Sequence, residues 1–299
     1  MKMLGCYKNG NYNVSIYEDG TKVRFSKGTE KFNPVFPESI DMKISNRCGR
    51  ACQFCHESST PDGKLAPLLP LNSVLQSIRP YTELALGGGN VFEHPDLIPF
   101  LTEMRDRKVI CNLTVHLQDF LSYYNLIGTL IESNLVHGVG VSVNGFINDT
   151  DIERLQAYKD NVVIHVIAGV VPMSTLEALS YRGFKLLILG YKIYGRGKDY
   201  FAKNITMNIK ELAESLDRLQ YNFPIISFDN LAIQQMQVFN IVSKEYWDRC
   251  YMGDDGQFTM YIDLVENTYA KSSTSKRIPI TDLTIDTLFE KVRNDCNDA

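Results

Sequence analysis

The chain has 299 residues, of which 44% are hydrophobic, and a formal net charge of −4. This length allows one large domain or one domain with an appendage, and the hydrophobic content is enough for a sizeable core. The slight acidic excess argues against a nucleic-acid-binding function, because affinity for a polyanion is carried by clustered lysine and arginine.

The amino-terminal residues lack the apolar stretch of a signal peptide, and no later run approaches the length of a transmembrane helix. The seven cysteines include three in one short loop, which does not fit a secreted disulfide framework. We therefore expect a cytoplasmic protein with no membrane partner.

Residues 11–26 predict a β-hairpin, because apolar residues alternate with polar ones on both sides of Glu18-Asp19-Gly20, a typical turn sequence. We expect an amino-terminal segment, residues 1–39, that consists of this β-ribbon and an extended lead-in.

From Ile40 onward the pattern becomes strand, loop and helix in repetition. An amphipathic helix is predicted over 205–220, and a capping box of Ser174 and Glu177 predicts the start of another. This alternation is typical of an α/β fold with a parallel sheet and helices outside it. The predicted strands are 40–45, 82–87, 109–115, 136–144, 161–168 and 185–190, with a further candidate at 223–228.

Three cysteines, Cys48, Cys52 and Cys55, follow the first of these strands at spacings of four and three. A loop this short can give one thiolate to each of three irons of a cubane and leave the fourth iron open, whereas a centre that only carries electrons is normally closed by four cysteines. The alternatives are a zinc knuckle and an incomplete ferredoxin loop, which both need a fourth cysteine or histidine nearby. His56 adjoins Cys55, so we expect its side chain to point away from the same metal.

The motif C-x3-C-x-Φ-C, with Phe54 as the aromatic residue, resembles the signature of the radical S-adenosylmethionine (radical SAM) superfamily. The resemblance implies a partial (β/α)6 barrel of TIM type over residues 40–229, with a bound [4Fe–4S] cluster and S-adenosyl-L-methionine (SAM). It also implies reductive cleavage of SAM to a 5′-deoxyadenosyl radical that abstracts hydrogen from a substrate. An external electron donor of the flavodoxin or ferredoxin type would supply the electron.

The loop after the second strand, Gly87-Gly88-Gly89-Asn90, is similar to the family's glycine-rich "GGE" segment, with Asn90 in place of the usual acid. The resemblance assigns these residues and Phe54 to SAM binding, since glycines let the backbone approach a ligand closely. An ordinary tight turn before a helix is the alternative.

Further SAM contacts are implied at the ends of the later strands. Ser142 and Asn144 share one face of the fourth strand at positions where the family touches the ribose or carboxylate of SAM. Ile167 is similar to a segment that packs on adenine, and Arg196, between two glycines, suits an anionic group of SAM or substrate. A strand end, an apolar strand and a solvated arginine are the respective alternatives. For His116, at the end of the third strand, both a functional and a structural role stay open.

Residues 230–299 predict a helix, a hairpin around Glu266-Asn267-Thr268 and a last helix at 285–293. This order resembles the twitch or SPASM-type extensions of peptide-modifying radical SAM enzymes, but one cysteine, Cys250, cannot hold an auxiliary cluster. We expect a small α+β cap in which Cys250 is either a hydrogen-atom donor to a substrate radical or an inert thiol.

The extension favours a peptide or protein side chain as the substrate. A small molecule such as a nucleoside or nucleotide is the alternative substrate. A non-catalytic iron–sulfur or zinc module is the alternative from another class of protein.

Overall fold

Seven parallel strands follow one another in chain order through the centre of the protein in the computed structural model, which describes residues 2–28 and 30–297, except the side chains of residues 203 and 295–297. The predicted segments also include residues 1, 29, 298 and 299, which lie outside the described residues. The strands are β4 (Ser39–Ser45), β5 (Glu83–Gly88), β6 (Ile110–His116), β7 (Gly138–Ser142), β8 (Val162–Ile167), β9 (Lys185–Leu189) and β10 (Ile225–Phe228).

Helices connect these strands and bury their apolar faces against the sheet. In the described residues they are α1 (Ser73–Gln76), α2 (Leu97–Asp106), α3 (Leu117–Ser122), α4 (Tyr124–Glu132), α5 (Asp149–Gln156), α6 (Met173–Leu179), α7 (Arg196–Tyr200), α8 (Lys203–Glu214), α9 (Leu216–Leu219), α10 (Asn230–Met236), α11 (Lys244–Cys250) and α12 (Ile285–Asn297), with 3-10 turns at Val91–Glu93 and Val238–Asn240. The predicted α/β fold with a large parallel sheet is confirmed.

Alternation along each strand separates the core from an inner cavity. In β8, Val162, Ile164 and Val166 are fully buried, whereas His165 and Ile167 are half-buried and line the cavity. Successive side chains of a strand point to opposite faces, so the apolar residues pack under the helices and the alternate ones face inward. The inner face carries polar and small residues, which leaves a cavity where many barrels have a packed core.

The amino-terminal segment forms a separate antiparallel sheet of β1 (Met3–Asn9), β2 (Tyr12–Tyr17) and β3 (Lys22–Phe25). The predicted ribbon is confirmed as β2 and β3, and β1 is a strand that the sequence pattern did not reveal. The turn between β2 and β3 lines the amino-terminal end of the cavity, where Lys185 Nζ lies 3.4 Å from the Asp19 carbonyl oxygen.

The carboxyl-terminal segment continues the main sheet. Its strands are β11 (Thr259–Asp263), β12 (Thr268–Ala270) and β13 (Ile278–Pro279), and β11 pairs in parallel with β4. The described strands therefore form a ten-stranded sheet, β10-β9-β8-β7-β6-β5-β4-β11-β12-β13, open between its two ends. The domain boundaries at 39/40 and 229/230 stay a prediction.

Two local features differ from the sequence-based expectations. The predicted capping box of Ser174 and Glu177 is wrong, because the N-cap of α6 is Pro172, two residues before Ser174, and no side chain caps the helix. The helix predicted over 205–220 is divided into α8 and α9 at Ser215. Within the described part of the chain, no helix is both long and apolar enough to span a membrane.

Candidate active site

The three cysteines of the motif lie on the loop that leaves the carboxyl end of β4. Cys48, Cys52 and Cys55 are half-buried free thiols, and all three line a cavity of about 660 Å³ inside the barrel. The site is therefore at the carboxyl ends of the parallel strands, as in other parallel barrels.

Backbone hydrogen bonds hold the cysteine loop to its neighbours. The Cys48 amide donates to the Thr60 carbonyl oxygen at 2.8 Å, and the Asn46 amide donates to the Lys64 carbonyl oxygen at 2.8 Å. Inside the loop, the Cys55 amide donates to the Cys52 carbonyl oxygen at 3.2 Å. These contacts fix the loop backbone without using the thiols.

The chemistry of the three thiols fits a thiolate-bound iron–sulfur cluster. Burial raises the pKa of Cys48 and Cys52, and the nearby Cys55 thiol adds to the rise in both. The Arg50 amide approaches Cys48 Sγ at 3.5 Å, and N–H donors of this kind stabilise a ligating sulfur. Binding of a metal cluster would release the thiol protons.

No group of three or more histidine, cysteine, aspartate and glutamate side chains in the described residues is arranged to hold one metal ion. His56 Nε2 lies 3.3 Å from Glu57 Oε1, so the histidine is engaged with its neighbour. The cluster itself is taken up as a proposal below.

The glycine loop after β5 packs directly on the cysteine loop. The Gly89 amide donates to the Ser45 carbonyl oxygen and the Asn90 amide to that of Arg47, both at 2.7 Å. A Cβ atom on Gly88 would lie 2.3 Å from the Ser45 oxygen, and one on Gly89 would lie 2.1 Å from the Arg47 oxygen. Only Gly87, which lines the cavity, has room for a Cβ, since its nearest neighbour would be 3.7 Å away.

We expect Gly89→Ala to displace the cysteine loop and Gly87→Ala to leave it in place. The first substitution drives a methyl group into a backbone oxygen, and overpacking of this kind costs about 1–3 kcal/mol. Urea unfolding and the iron content after anaerobic reconstitution should both fall for Gly89→Ala and stay near wild type for Gly87→Ala. Equal losses in the two variants would contradict the packing role of Gly89.

Asn90 does not line the cavity but joins a polar network behind it. Its amide nitrogen donates to Asp119 Oδ1 at 3.1 Å and to Glu93 Oε1 at 3.2 Å, and its oxygen accepts from the Phe92 amide. Asp119 is buried and also accepts from Arg50 Nε at 3.0 Å and Nη2 at 2.5 Å. A carboxylate from α3 thus lies beside the position where the family pattern has an acid, and sequence spacing could not reveal it.

Ser142, Asn144 and Ile167 all line the cavity, as the resemblance implied. The Ile167 amide donates to Asn144 Oδ1 at 2.6 Å, so the amide nitrogen of Asn144 is the group left to face a ligand. Ser142 pairs across the sheet with His116 and His165. Their contacts with SAM stay predictions.

Arg196 lines the cavity but binds the cysteine loop. Its Nε donates to the Cys52 carbonyl oxygen at 3.0 Å and its Nη1 to that of Ser59 at 2.9 Å, while its amide donates to the Cys55 carbonyl oxygen. These contacts make Arg196 a clamp on the backbone that carries two of the cysteines. An anion contact by the same guanidinium stays a prediction.

Phe54 and His116 also line the cavity near the cysteine loop. Phe54 packs edge-on against Tyr200, with the ring centroids 6.1 Å apart, and also lines the cavity. His116 caps α3, since its Nδ1 accepts from the Gln118 amide at 3.1 Å. A structural role therefore accounts for one ring nitrogen of His116.

A buried ion cluster links the end of the cysteine loop to β4 and β11. The sequence pattern did not reveal it. Lys43 Nζ on β4 lies 2.6 Å from Glu57 Oε2 and 3.2 Å from Asp263 Oδ2 on β11. Although burial lowers the pKa of Lys43, the two carboxylates outweigh it and raise the pKa overall. Tyr261 Oη donates to Glu57 Oε1 at 3.3 Å, so the loop, the barrel and the carboxyl-terminal strands meet here.

His165 projects from β8 into the cavity, and its Nδ1 is buried without a hydrogen-bond partner in the described residues. Burial lowers the pKa of His165 to about 4. An ordinary histidine has a pKa near 6.5, so the unfolded chain binds this proton more readily than the folded chain between about pH 6.5 and 4. The stabilising effect of the neutral ring is therefore present above pH 6.5 and lost as the pH falls through this window.

We expect His165→Gln to flatten the pH dependence of stability. Linkage gives a loss of up to about 2 kcal/mol for wild type between pH 7 and pH 5 from this residue alone. Urea unfolding at the two pH values measures the difference between wild type and variant. Parallel losses in both proteins would show that His165 is not the titrating group.

Cys250 lies on α11 and is exposed, and it is not among the residues that line the cavity. This position does not support a hydrogen-donor role, which stays a prediction. Cys111 is fully buried, and burial raises the pKa of its thiol to about 12, as expected for a small apolar side chain.

No protein-family model matches the sequence, and no curated protein matches it either. Solved structures of SuiB from Streptococcus suis do share its fold. SuiB bound to the precursor peptide SuiA aligns with a TM-score of 0.62 at 12% identity, over 89% of this chain and 68% of that one. SuiB bound to S-adenosylmethionine aligns with a TM-score of 0.57 at 12% identity, over 88% and 66%. The chain thus spans about two thirds of the length of SuiB.

Proposed function

We propose that this protein is a radical SAM enzyme that acts on a peptide or protein side chain. The observation that carries the proposal is that three free thiols, Cys48, Cys52 and Cys55, line one cavity together with Gly87, Gly88 and Gly89 of the glycine loop. The fold shared with SuiB, which has been crystallised with S-adenosylmethionine and with a precursor peptide, supports it.

When bound, a [4Fe–4S] cluster and SAM would supply a reducing electron and a 5′-deoxyadenosyl radical. Cys48, Cys52 and Cys55 would hold the cluster, and Arg196 holds the loop that carries them through two backbone oxygens. The protein's part is binding, orientation and exclusion of competing reactions.

The cavity walls suit the other groups of SAM. Gly87 leaves open space beside the cysteine loop, and Asn144 presents its amide nitrogen from the end of β7. Ile167 and Phe54 offer apolar surface to an adenine ring. The thiols lie at the carboxyl ends of the strands, so a substrate in the inner chamber would be next to the residues that would hold SAM.

The inner chamber would take the substrate. It is lined by β4 to β9 and closed at the amino-terminal end by the turn at Glu18-Asp19-Gly20. A peptide would insert one side chain and leave its backbone along the carboxyl-terminal strands, whereas a nucleoside would need stacking aromatics inside the chamber. We favour the peptide because the described lining residues of these strands include no phenylalanine, tyrosine or tryptophan to stack on a base.

Anaerobic reconstitution tests the proposal. We expect about four irons and four sulfides per chain, and formation of 5′-deoxyadenosine from SAM with dithionite or a flavodoxin-type donor. Bound zinc with no SAM cleavage would instead favour a non-catalytic metal module. Deuterium transfer from labelled peptides or labelled nucleosides into 5′-deoxyadenosine would separate the two substrate classes.

A further inference from the structure

Asp41 lines the cavity on β4, the strand that leads into the cysteine loop, and it pairs with Ala85 on β5, which leads into the glycine loop. Asp41 occupies the middle of β4 between Ile40 and Met42, which are fully buried on the other face of the strand. Its carboxylate is accessible and lines the cavity. Among the described residues, no hydrogen bond or ion pair reaches this carboxylate, so an acid in the centre of the barrel has no partner from the chain.

The neighbouring charges do not neutralise Asp41. Burial raises its pKa, Lys192 opposes the shift, and the carboxylates of Asp255 and Asp229 add to it. Lys192 donates to Ser273 Oγ at 2.7 Å and makes no ion pair within 4 Å in the described residues. The carboxylates of Asp41 and Asp229 and the ammonium group of Lys192 therefore line the same cavity, and no ion pair within 4 Å joins them in the described residues.

A second charged cluster also lines the cavity next to Asp41. Lys43 is shared between Glu57 and Asp263 at 2.6 and 3.2 Å, so that cluster also has one more acid than base. Two further aspartates come from distant parts of the chain, Asp229 from the N-cap of α10 and Asp255 from the segment before β11. The curvature of the sheet brings them to the same cavity as Asp41.

A second, independent feature indicates that a ligand completes this chamber. His165 lines the same cavity from β8, four strands along the sheet from β4, and its Nδ1 is buried without a partner in the described residues. Gly140 makes room for this ring, since a Cβ there would lie 2.1 Å from His165 Cε1. A buried polar atom beside a cavity is costly to leave without a partner, and a bound molecule could supply one.

We propose that the inner chamber binds a cationic group of the substrate, a primary ammonium or a guanidinium, with Asp41 as the residue that determines this specificity. The proposal rests on the proposed function, because it names the substrate class of the same cavity. A substrate cation would form a partly desolvated ion pair with Asp41, and removing one partner of such a pair weakens binding because the other charge is left unpaired. The cation could belong to a lysine or arginine side chain of a peptide or to a free amine.

Binding to the reconstituted, SAM-loaded protein tests the proposal. The probes are two pools of heptapeptides that differ at the central position, lysine or arginine in one and norleucine or citrulline in the other, together with free lysine amide and arginine amide. We expect the cationic pool to bind at least about tenfold more tightly than the neutral pool. Tight binding of the free amides would identify a small amine as the source of the cation, and binding of the cationic pool alone would identify a peptide.

Two substitutions are expected to change the preference for the cationic pool in opposite directions, so the test does not depend on one variant. Asp41→Asn should remove the preference for the cationic pool, and Lys192→Met should increase it, because it removes the competing positive charge. Asp248→Asn, on an exposed position of α11 outside the cavity, should leave the preference unchanged. Equal binding of the two pools by wild type, binding of neither pool, or an unchanged preference in both Asp41→Asn and Lys192→Met would overturn the proposal.

Failure of this proposal and failure of the proposed function give different results. If wild type cleaves SAM but does not distinguish the two pools, only the cation specificity is wrong. If wild type does not cleave SAM, the enzymatic function is wrong whichever pool it binds.

Discussion

Replacing any one of Cys48, Cys52 and Cys55 by serine is expected to abolish 5′-deoxyadenosine formation from SAM. Each thiolate would ligate a separate iron, and a cubane with an open iron for SAM has no spare protein ligand. Since changes to groups that only orient metal ligands typically cost about 10- to 100-fold, loss of a ligand should reduce SAM cleavage more than about a hundredfold. Iron and sulfide content and 5′-deoxyadenosine yield measure the two effects.

Two other cysteines provide matched controls. Cys6 is exposed on β1, and Cys6→Ser should retain both the cluster and SAM cleavage. Cys250→Ser should also retain iron, and it tests the hydrogen-donor prediction separately, because a donor variant would cleave SAM without completing the product. Serine variants of the loop that keep full iron content would show that the three thiols do not hold the cluster.

Lys43→Met is expected to cost about 3–5 kcal/mol of unfolding free energy, because it leaves Glu57 and Asp263 as buried charges without their partner. The Lys43 side chain is only 7% exposed, and those of Glu57 and Asp263 are 12% and 6% exposed. Glu57 lies two residues after Cys55, so we also expect weaker retention of iron. Urea unfolding of the purified chain, and iron content after reconstitution, give the two readouts.

Lys64→Met removes the same type of side chain from a surface ion pair. Lys64 is 76% exposed and its Nζ lies 3.9 Å from Glu266 Oε1, and exposed pairs of this kind contribute about 0–1 kcal/mol. A double variant, Lys43→Met with Glu57→Gln, should recover part of the loss because one unpaired charge is gone. Similar losses for Lys43→Met and Lys64→Met would contradict the burial argument.

The positions of the strands could be predicted because alternation and turn residues are local signals. The first predicted strand, 40–45, differs by one residue from β4 at Ser39–Ser45, and 185–190 agrees with β9 at Lys185–Leu189 to one residue. The cysteine loop could be placed at the carboxyl end of the sheet for the same reason. Prediction of β1 failed because its apolar residues, such as Leu4 and Cys6, do not form a buried alternating face.

Several residues could be assigned to the site from the sequence, but the contacts that require them there could not be predicted. Gly88 and Gly89 are required by the backbone of residues 45–47 at distances near 2 Å, a contact between loops 40 residues apart. Arg196 could be assigned to the site from its position after the sixth strand, but its hydrogen bonds to the Cys52 and Ser59 carbonyl oxygens depend on how the barrel curves.

The sequence by itself determined the order of strands and helices, the end of the sheet at which the cysteines lie, and the spacing of the three thiols, since each depends on residues close together in the chain. Only the tertiary structure decided which charges share the chamber. Asp41, Asp229 and Asp255 face one cavity, and Asp119 reaches Asn90 and Arg50, because strands and turns from distant parts of the chain converge when the sheet curves. Electrostatic energies depend on distance through space and on burial, and neither is encoded in the local pattern of residues.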